Sequence, residues 1–225
     1  MTAILKNPNA LYINAEWVRT ASVEEVINPA TEESIGLAPV GDRPMVEAAI
    51  AAAREAFDKG PWPRLPARER KAKLQQFHDA LMRRREEICA LIMAEAGSTV
   101  GLTAFLQFGI PMKHAQYFID ICDRPTETPL PVEINPSATG GKILGAGVMI
   151  REPAGVVSAI TPYNFPFFLN ISKVVPALAA GCTVVLKPSP YTPFQALVLG
   201  EAAEEVGLPK ACSTSSPAAR TSARC

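Results

Sequence analysis

The sequence predicts an α/β protein in which an incomplete parallel sheet follows an N-terminal helical region and a β-rich connecting segment. From Val156 onward, apolar runs typical of strands alternate with runs of helical length. Before residue 122, apolar residues recur mainly at a spacing of three to four, which is typical of helices. Between these parts, residues 123–141 are rich in Pro, Thr and Gly and read as a connection, and residues 142–160 are rich in β-forming residues.

The first elements are short strands followed by a helix. Between residues 11 and 40, short apolar stretches are separated by turn residues such as Asn28, which indicates strands or extended segments. Asp42 is placed to cap the next helix, because Asp is a preferred N-cap residue. The apolar stripe of that helix ends at Gly60, which predicts its end.

Two further helical segments follow. One begins at Pro66 and ends at Gly97, and we expect its charged run at residues 83–87 ("RRREE") to lie on a solvated face. The other covers about residues 100–121 and is largely apolar, so we expect it to pack within the protein.

The C-terminal part reads as strand, helix, strand, helix. These elements are expected at about residues 156–160, 167–180, 183–187 and 194–206. Helices of this length between strands imply right-handed crossovers and parallel strands. In such sheets ligands bind beyond the carboxyl ends of the strands. We therefore expect the loops that hold Asn164 and Lys187 to face the same crevice.

Composition points to small-molecule partners. Lys plus Arg and Asp plus Glu both number 22, so no net field attracts nucleic acid or an anionic membrane. No apolar run reaches 18 residues and the start lacks a charged, then apolar leader, which predicts a cytoplasmic protein without membrane spans.

The five cysteines form no C-x-x-C pair and are expected to be reduced, Cys182 as a buried core residue. His78 and His114 have no ligand partners at metal spacing, so no metal is proposed.

Residues 161–166 ("TPYNFP") stiffen the backbone around one amide side chain. Pro162 and Pro166 each fix their own φ and restrict the residue before them. Taken alone, Asn164 fits a turn residue that bonds local backbone, and Lys187 fits a solvated strand end. Neither residue is assigned a function by the local pattern.

Three motifs in order resemble the aldehyde dehydrogenase superfamily. They are residues 162–166 ("PYNFP"), residues 176–181 ("PALAAG") and residues 187–189 ("KPS"). The N-terminal "INPATEE" and "EAAIAAAREAF" are also similar, so the resemblance covers roughly residues 10–209. It implies an aldehyde dehydrogenase-like fold with a Rossmann-type sheet and the NAD(P)-dependent oxidation of an aldehyde to a carboxylic acid.

The resemblance also implies roles for individual residues. In the family, a cysteine thiolate adds to the aldehyde, hydride passes to nicotinamide and water releases the acid. Asn164 matches the amide that donates to the oxyanion, a role that suits a rigid neutral donor. The cofactor-binding matches are Ile160, Thr161, Pro162 and Tyr163 beside the cofactor, Lys187 at the adenosine ribose, and Ser189 and Pro190.

Cofactor choice depends on residue 190. Many NAD-preferring members carry Glu at this position, where its carboxylate accepts from the ribose hydroxyls and repels a 2′-phosphate. Here the residue is Pro190. The cofactor is therefore NAD or NADP, with NADP at least tolerated.

The expected organisation has three parts. Residues 1–150 pack on the cofactor domain, residues 151–209 form the first part of that domain, and residues 210–225 are a tail outside the family pattern. That tail lacks Val, Ile, Leu, Met and Phe, so it cannot supply the family's next apolar strand, and we expect it to be frameshifted and disordered. The family's nucleophilic Cys and general-base Glu lie beyond residue 209, which predicts no turnover by this chain alone.

Alternatives remain open from the sequence. One is a non-catalytic nucleotide-binding or interaction fragment, and another is a CoA-acylating semialdehyde dehydrogenase relative. Family members are usually homodimers or homotetramers. The residues do not identify which aldehyde is the substrate.

Overall fold

The N-terminal strands form antiparallel pairs. The computed structural model describes residues 5–209 and the backbone of residues 214–215. The strands are β1 Ala10–Ile13, β2 Glu16–Arg19, β3 Ser22–Ile27 and β4 Ser34–Val40. β1 pairs with β2, and β3 pairs with β4. Asn28 shapes the turn after β3, where its side-chain oxygen accepts from the Ala30 amide at 2.9 Å. The strands expected between residues 11 and 40 are confirmed.

Helices follow, with one difference from prediction. They are α1 Arg43–Asp58, a 3₁₀ turn Trp62–Arg64, α2 Ala67–Arg83 and α3 Arg85–Ala96. Asp42 caps α1 as predicted, accepting from the Met45 amide at 2.9 Å. Gly97 ends α3 in the left-handed conformation, with φ +62°. The single helix predicted here is divided, because Arg84 leaves helical geometry at φ −92° and ψ 17°.

The charged run at residues 83–87 is not uniformly solvated. Arg83 is exposed and pairs with Glu205 at 2.6 Å. Arg84, by contrast, is only 14% exposed and pairs with the fully buried Glu201 at 2.6 Å, as well as with Glu87. The predicted solvated face is therefore wrong at Arg84, because this side chain neutralises a carboxylate inside the protein.

The third helical segment changes geometry along its length. It consists of α4 Val100–Leu102, a π-helical stretch Thr103–Gly109 and α5 Ile110–Asp120. Phe108 and Ile119 are buried as expected for an element that packs within the protein. Val100 and Phe105 are 71% and 67% exposed, so one face is apolar but uncovered.

Four short and largely exposed strands, here called the β arm, lie in the sequence between α5 and the parallel sheet. They are β5 Glu127–Pro129, β6 Glu133–Pro136, β7 Lys142–Gly145 and β8 Val148–Ile150. β5 pairs with β8 and β6 with β7, both antiparallel. The prediction of a simple connection over residues 123–141 is wrong, because β5 and β6 lie within it. Their partners are the β-rich residues that follow.

The parallel sheet has the predicted order of elements. They are β9 Val156–Ile160, α6 Pro166–Ala179, β10 Thr183–Lys187 and α7 Phe194–Glu205. β9 and β10 are parallel neighbours in continuous register. The two-residue strand β11 Thr214–Ser215 lies parallel to β10 on its other side. The prediction that the tail supplies no strand is wrong at these two residues, because their backbone pairs with β10 although they are not apolar. The other residues of the predicted tail, 210–213 and 216–225, lie outside the described residues.

The N-terminal helices pack directly on the parallel sheet. Thr183 at the start of β10 donates from its hydroxyl to the Ala53 carbonyl in α1 at 2.9 Å. The buried Trp62 indole donates to the Leu178 carbonyl at the end of α6. β10 is buried on both faces, whereas β9 forms the sheet edge among the described strands and is partly exposed. Cys182 is buried, as predicted.

Candidate functional site

The site is built on the carboxyl ends of β9 and β10. Lys187 and Ile160 are register partners at the last position of the two strands. The Thr161 amide donates to the Lys187 carbonyl at 3.1 Å, which extends the pairing one residue into the loop. Ile160 is 62% exposed although it is a large apolar residue, whereas Thr161 is buried. This alternation turns Ile160 outward at the crevice and Thr161 inward.

The loop after β9 holds Asn164 outward. Pro162, Tyr163 and Asn164 are all exposed, and α6 begins immediately afterwards at Pro166. The two prolines restrict the backbone on either side of the amide. The loop therefore presents the Asn164 side chain to solvent at the edge of the sheet where ligands bind in α/β folds.

The loop after β10 is shaped by Ser189. Its hydroxyl accepts from the Tyr191 amide at 3.2 Å, and its carbonyl accepts from the Thr192 amide at 3.2 Å. Ser189 is only 6% exposed, so it folds the loop from inside, whereas Pro190 is half-buried. The structure thus brings Ser189 to the predicted loop, but its hydroxyl points into the turn.

An aromatic pair joins the two loops. Tyr163 and Tyr191 meet edge to face, with ring centroids 6.0 Å apart and an interplanar angle of 69°. Both rings are about half exposed. Tyr191 was not singled out from the sequence, and its place beside Pro190 was the signal that could have found it.

A buried chain of polar side chains lies beneath both loops. The Thr161 hydroxyl donates to Asn170 Oδ1 at 2.6 Å, and Asn170 Nδ2 donates to Gln195 Oε1 at 2.9 Å. Gln195 Nε2 then donates to the Thr192 carbonyl at 2.8 Å. Sequence reasoning missed this chain, although an Asn within the apolar run "FFLNISKVV" was a signal for a buried polar contact.

Glu95 supports the same region from α3. Its carboxylate accepts from the backbone amides of Phe194 and Gln195 at the start of α7, the latter at 3.2 Å. Burial raises the pKa of Glu95 to about 8, and the two amide donors oppose that rise. The sequence pattern did not single out Glu95.

A cleft of about 610 Å³ opens beside the two tyrosines. Its lining residues are Val26, Ile27, Pro29, Glu95, Ala96, Tyr163, Tyr191 and Thr192. Within residues 5–209, no group of three or more potential metal ligands is found. Among residues 5–209, none of the helices has both the length and the apolar composition that a membrane span requires.

Comparisons with known proteins identify a family for this arrangement. The sequence model of the aldehyde dehydrogenase family matches residues 17–219. The match continues ten residues past Pro209, the residue at which the resemblance carried by the motifs ends. Geranial dehydrogenase of Castellaniella defragrans is 35% identical over 201 residues, covering 88% of this chain and 40% of the relative.

Solved structures agree with the sequence comparisons. An aldehyde dehydrogenase of Mycobacterium tuberculosis complexed with NAD+ superposes with a TM-score of 0.81 at 37% identity, covering 93% of this chain and 42% of that one. An NADP-dependent enzyme of E. coli gives a TM-score of 0.84 at 29% identity, covering 98% and 44%. The predicted α/β class is confirmed, and the chain spans about 40% of the length of the curated relatives it matches.

Proposed function

The chain belongs to the aldehyde dehydrogenase family, and on that premise we propose that it supplies part of the NAD(P) site, and an oxyanion donor, to an enzyme that oxidises an aldehyde to a carboxylic acid. The observation that carries the proposal is the parallel pairing of β9 and β10 up to Ile160 and Lys187. This pairing brings the two candidate loops to one edge of the sheet. It supports a shared nucleotide crevice for Asn164 and Lys187.

The residues at this edge fit a dinucleotide. Lys187 provides hydrogen-bond donors for ribose hydroxyls, and the exposed Ile160 provides an apolar surface beside it. Residues 161–163 continue this wall, while Ser189 and Pro190 set the path of the second loop. When bound, the nicotinamide accepts a hydride from the substrate.

Asn164 is the proposed catalytic residue of this chain. Its amide is neutral at every working pH and can donate to the oxygen on which negative charge develops. The exposed side chain on a backbone restricted by Pro162 and Pro166 supports that role, because a fixed donor needs no reorganisation. The nucleophilic Cys of the family lies in the part of the relatives that the chain does not span, so we expect cofactor binding without turnover by this chain alone.

The organisation and surroundings of the protein are part of the proposal. Residues 1–150 are proposed to pack on the cofactor part, residues 151–209, which is supported by the Thr183 and Trp62 hydrogen bonds across that boundary. A homo-oligomer is proposed, supported by the exposed apolar side chains of the β arm. A cytoplasmic location is proposed on the basis of the free thiols of Cys89, Cys122 and Cys182.

Titration of the 225-residue chain with NAD+ and NADP+ tests the cofactor site. We expect both dinucleotides to bind, because Pro190 places no carboxylate against a 2′-phosphate. Lys187→Ala should weaken binding of both about tenfold or more, as expected for lost hydrogen bonds from a charged donor. Lys142→Ala in the exposed β7 is the matched control and should bind as the unmodified chain does.

Two results would count against the proposal in different ways. Equal affinity of the Lys187→Ala and unmodified chains would remove Lys187 from the site. Tight binding of NAD+ with strong exclusion of NADP+ would contradict the role given to Pro190 and leave the crevice itself in place.

A further inference from the structure

The buried polar chain beneath the site has a fixed direction. Its last acceptor is the Thr192 carbonyl, which can only accept, so Gln195 must turn its amide nitrogen toward it. Gln195 Oε1 then faces Asn170, which must donate from Nδ2. Asn170 Oδ1 is left for the Thr161 hydroxyl, which must donate. One carbonyl thereby sets the orientation of every side chain in the series.

The series of hydrogen bonds also joins these loops through side chains, in addition to the backbone bond from Thr161 to Lys187 at their base. Thr161 belongs to the loop after β9, Asn170 to α6, and Thr192 and Gln195 to the loop after β10 and the start of α7. Thr161 and Thr192 are 5% and 1% exposed, and Asn170 and Gln195 are completely buried. Inside the protein, an unpaired polar group is costly, so the three side-chain hydrogen bonds of this series strongly favour one arrangement of its ends.

From this geometry, and resting on the cofactor site proposed above, we infer that Asn170 is a positioning residue that locks the Asn164 loop to the Ser189–Tyr191 loop. It sits midway in the chain and is its only member on α6 among the described residues. Asn170 is completely buried and therefore lies beneath the loops, away from the crevice surface. It sets the separation of the two loops between which the dinucleotide lies.

Asn170→Asp keeps the shape of the side chain, and its ionised form has no donor. A carboxylate at this position would face Gln195 Oε1 with another acceptor. If Gln195 turned its amide around, Oε1 would face the Thr192 carbonyl instead. Thr161→Val replaces the hydroxyl with a methyl group of similar size and so breaks the series of hydrogen bonds at its other end. This second variant still tests the inference if Asn170→Asp does not fold.

Hydrogen exchange of the 225-residue chain without cofactor gives the first readout. We expect both variants to speed amide exchange about tenfold in residues 161–165 and also in residues 188–193, while α2 stays protected. Ser172→Ala is the matched control on α6, since its hydroxyl oxygen is, among the described residues, buried without a hydrogen-bond partner. It should leave both loops unchanged. Unchanged exchange in the loops, or equal acceleration in α2, would overturn the inference.

Cofactor affinity gives the second readout. Asn170→Asp should weaken binding of NADP+ about tenfold, in the range of coupling within one hydrogen-bond network. Leu74→Ala, a core change in α2, lowers thermal stability without touching the loops and should keep the affinity of the folded chain. If Asn170→Asp binds as tightly as the Leu74→Ala chain, the inference fails. If the unmodified chain binds neither dinucleotide but the loops respond in the exchange experiment, the proposed cofactor site fails and the coupling of the loops stands.

Discussion

At the scale of the residue, Asn164 combines a restricted backbone with an exposed side chain. Its role can be tested in an enzyme made by joining this chain to the remaining segment of a matched relative. Asn164→Ala should lower kcat about 10²- to 10³-fold, as loss of one oxyanion donor typically does. The dissociation constant of NADP+ should stay the same, because the amide is proposed to contact the substrate oxygen.

Two comparisons sharpen the Asn164 measurement. Asn164→Asp should be at least as slow, since a carboxylate cannot donate and repels the developing charge. Asn135→Ala, at an exposed position in β6, should retain full kcat. A kcat for Asn164→Ala that matches the Asn135→Ala control would exclude Asn164 as the donor.

Individual site residues were predictable only where a local motif marked them. Asn164 lies inside its motif after one apolar strand, and Lys187 ends the next strand and begins its own motif, so the sequence alone predicted both at the same edge of a sheet. Asn170 was not found because its partners lie 9 and 25 residues away, in other elements. A hydrogen bond of this kind depends on packing between helices, which no local pattern encodes.

At the scale of the element, Arg84 ties the α2–α3 junction to α7. Its guanidinium pairs with Glu201, whose carboxylate also accepts from the amides of Lys6 and Asn7. Arg84→Met should destabilise the chain by about 3–5 kcal/mol, because it leaves a buried charge without its main partner. Arg83→Met, which breaks the exposed pair with Glu205, should cost less than about 1 kcal/mol.

Urea unfolding of both arginine variants provides the measurement. The two substitutions make the same change of side chain at neighbouring positions, so the difference between them reports mainly on the pairs with Glu201 and Glu205. Similar free energies of unfolding for the two variants would show that Arg84 does not neutralise a buried carboxylate.

Glu95, whose carboxylate binds the start of α7, should make the stability of the chain depend on pH. The pKa of Glu95 is raised by burial to about 8, above the unfolded value of about 4.5. The folded state then binds a proton that the unfolded state has released, so this group contributes stability below pH 4.5 that is lost as pH rises toward 8. Thermal unfolding at several pH values between 5 and 8.5 should show this decline.

Glu95→Gln isolates the contribution of this carboxyl group. The variant cannot titrate, so its unfolding midpoint should fall less over the same pH range, although its amide satisfies only one of the two α7 donors and lowers stability throughout. Parallel curves for the variant and the unmodified chain would contradict a raised pKa for Glu95.

At the scale of the whole molecule, local patterning predicted the layers better than the connections. The strand and helix alternation from Val156 onward was confirmed because each element is a continuous apolar or amphipathic run. The β arm was partly missed, since β5 and β6 contain Pro and Thr and gain their pairing only from β7 and β8. Pairing with distant strands decided their structure, and local propensity was a poor guide there.

The β arm also makes the chain a candidate for self-association. Ile134 and Leu144 are register partners on one face of the β6–β7 pair, and they are 64% and 68% exposed. A two-stranded pair of this kind is marginally stable alone, and contiguous exposed apolar surface favours contact with another protein surface. We expect the average mass of the chain in solution to rise above 24.1 kDa with concentration.

Replacing both residues of this pair tests the source of association. Ile134→Thr with Leu144→Thr keeps the β propensity of the strands and removes the apolar patch, so sedimentation equilibrium should shift toward the monomer. Val100→Thr, at an even more exposed apolar position on α4, is the matched control and should associate like the unmodified chain. Equal association of all three chains would place the contact elsewhere, whereas a shift confined to the double variant would identify the β arm as the surface that joins the subunits.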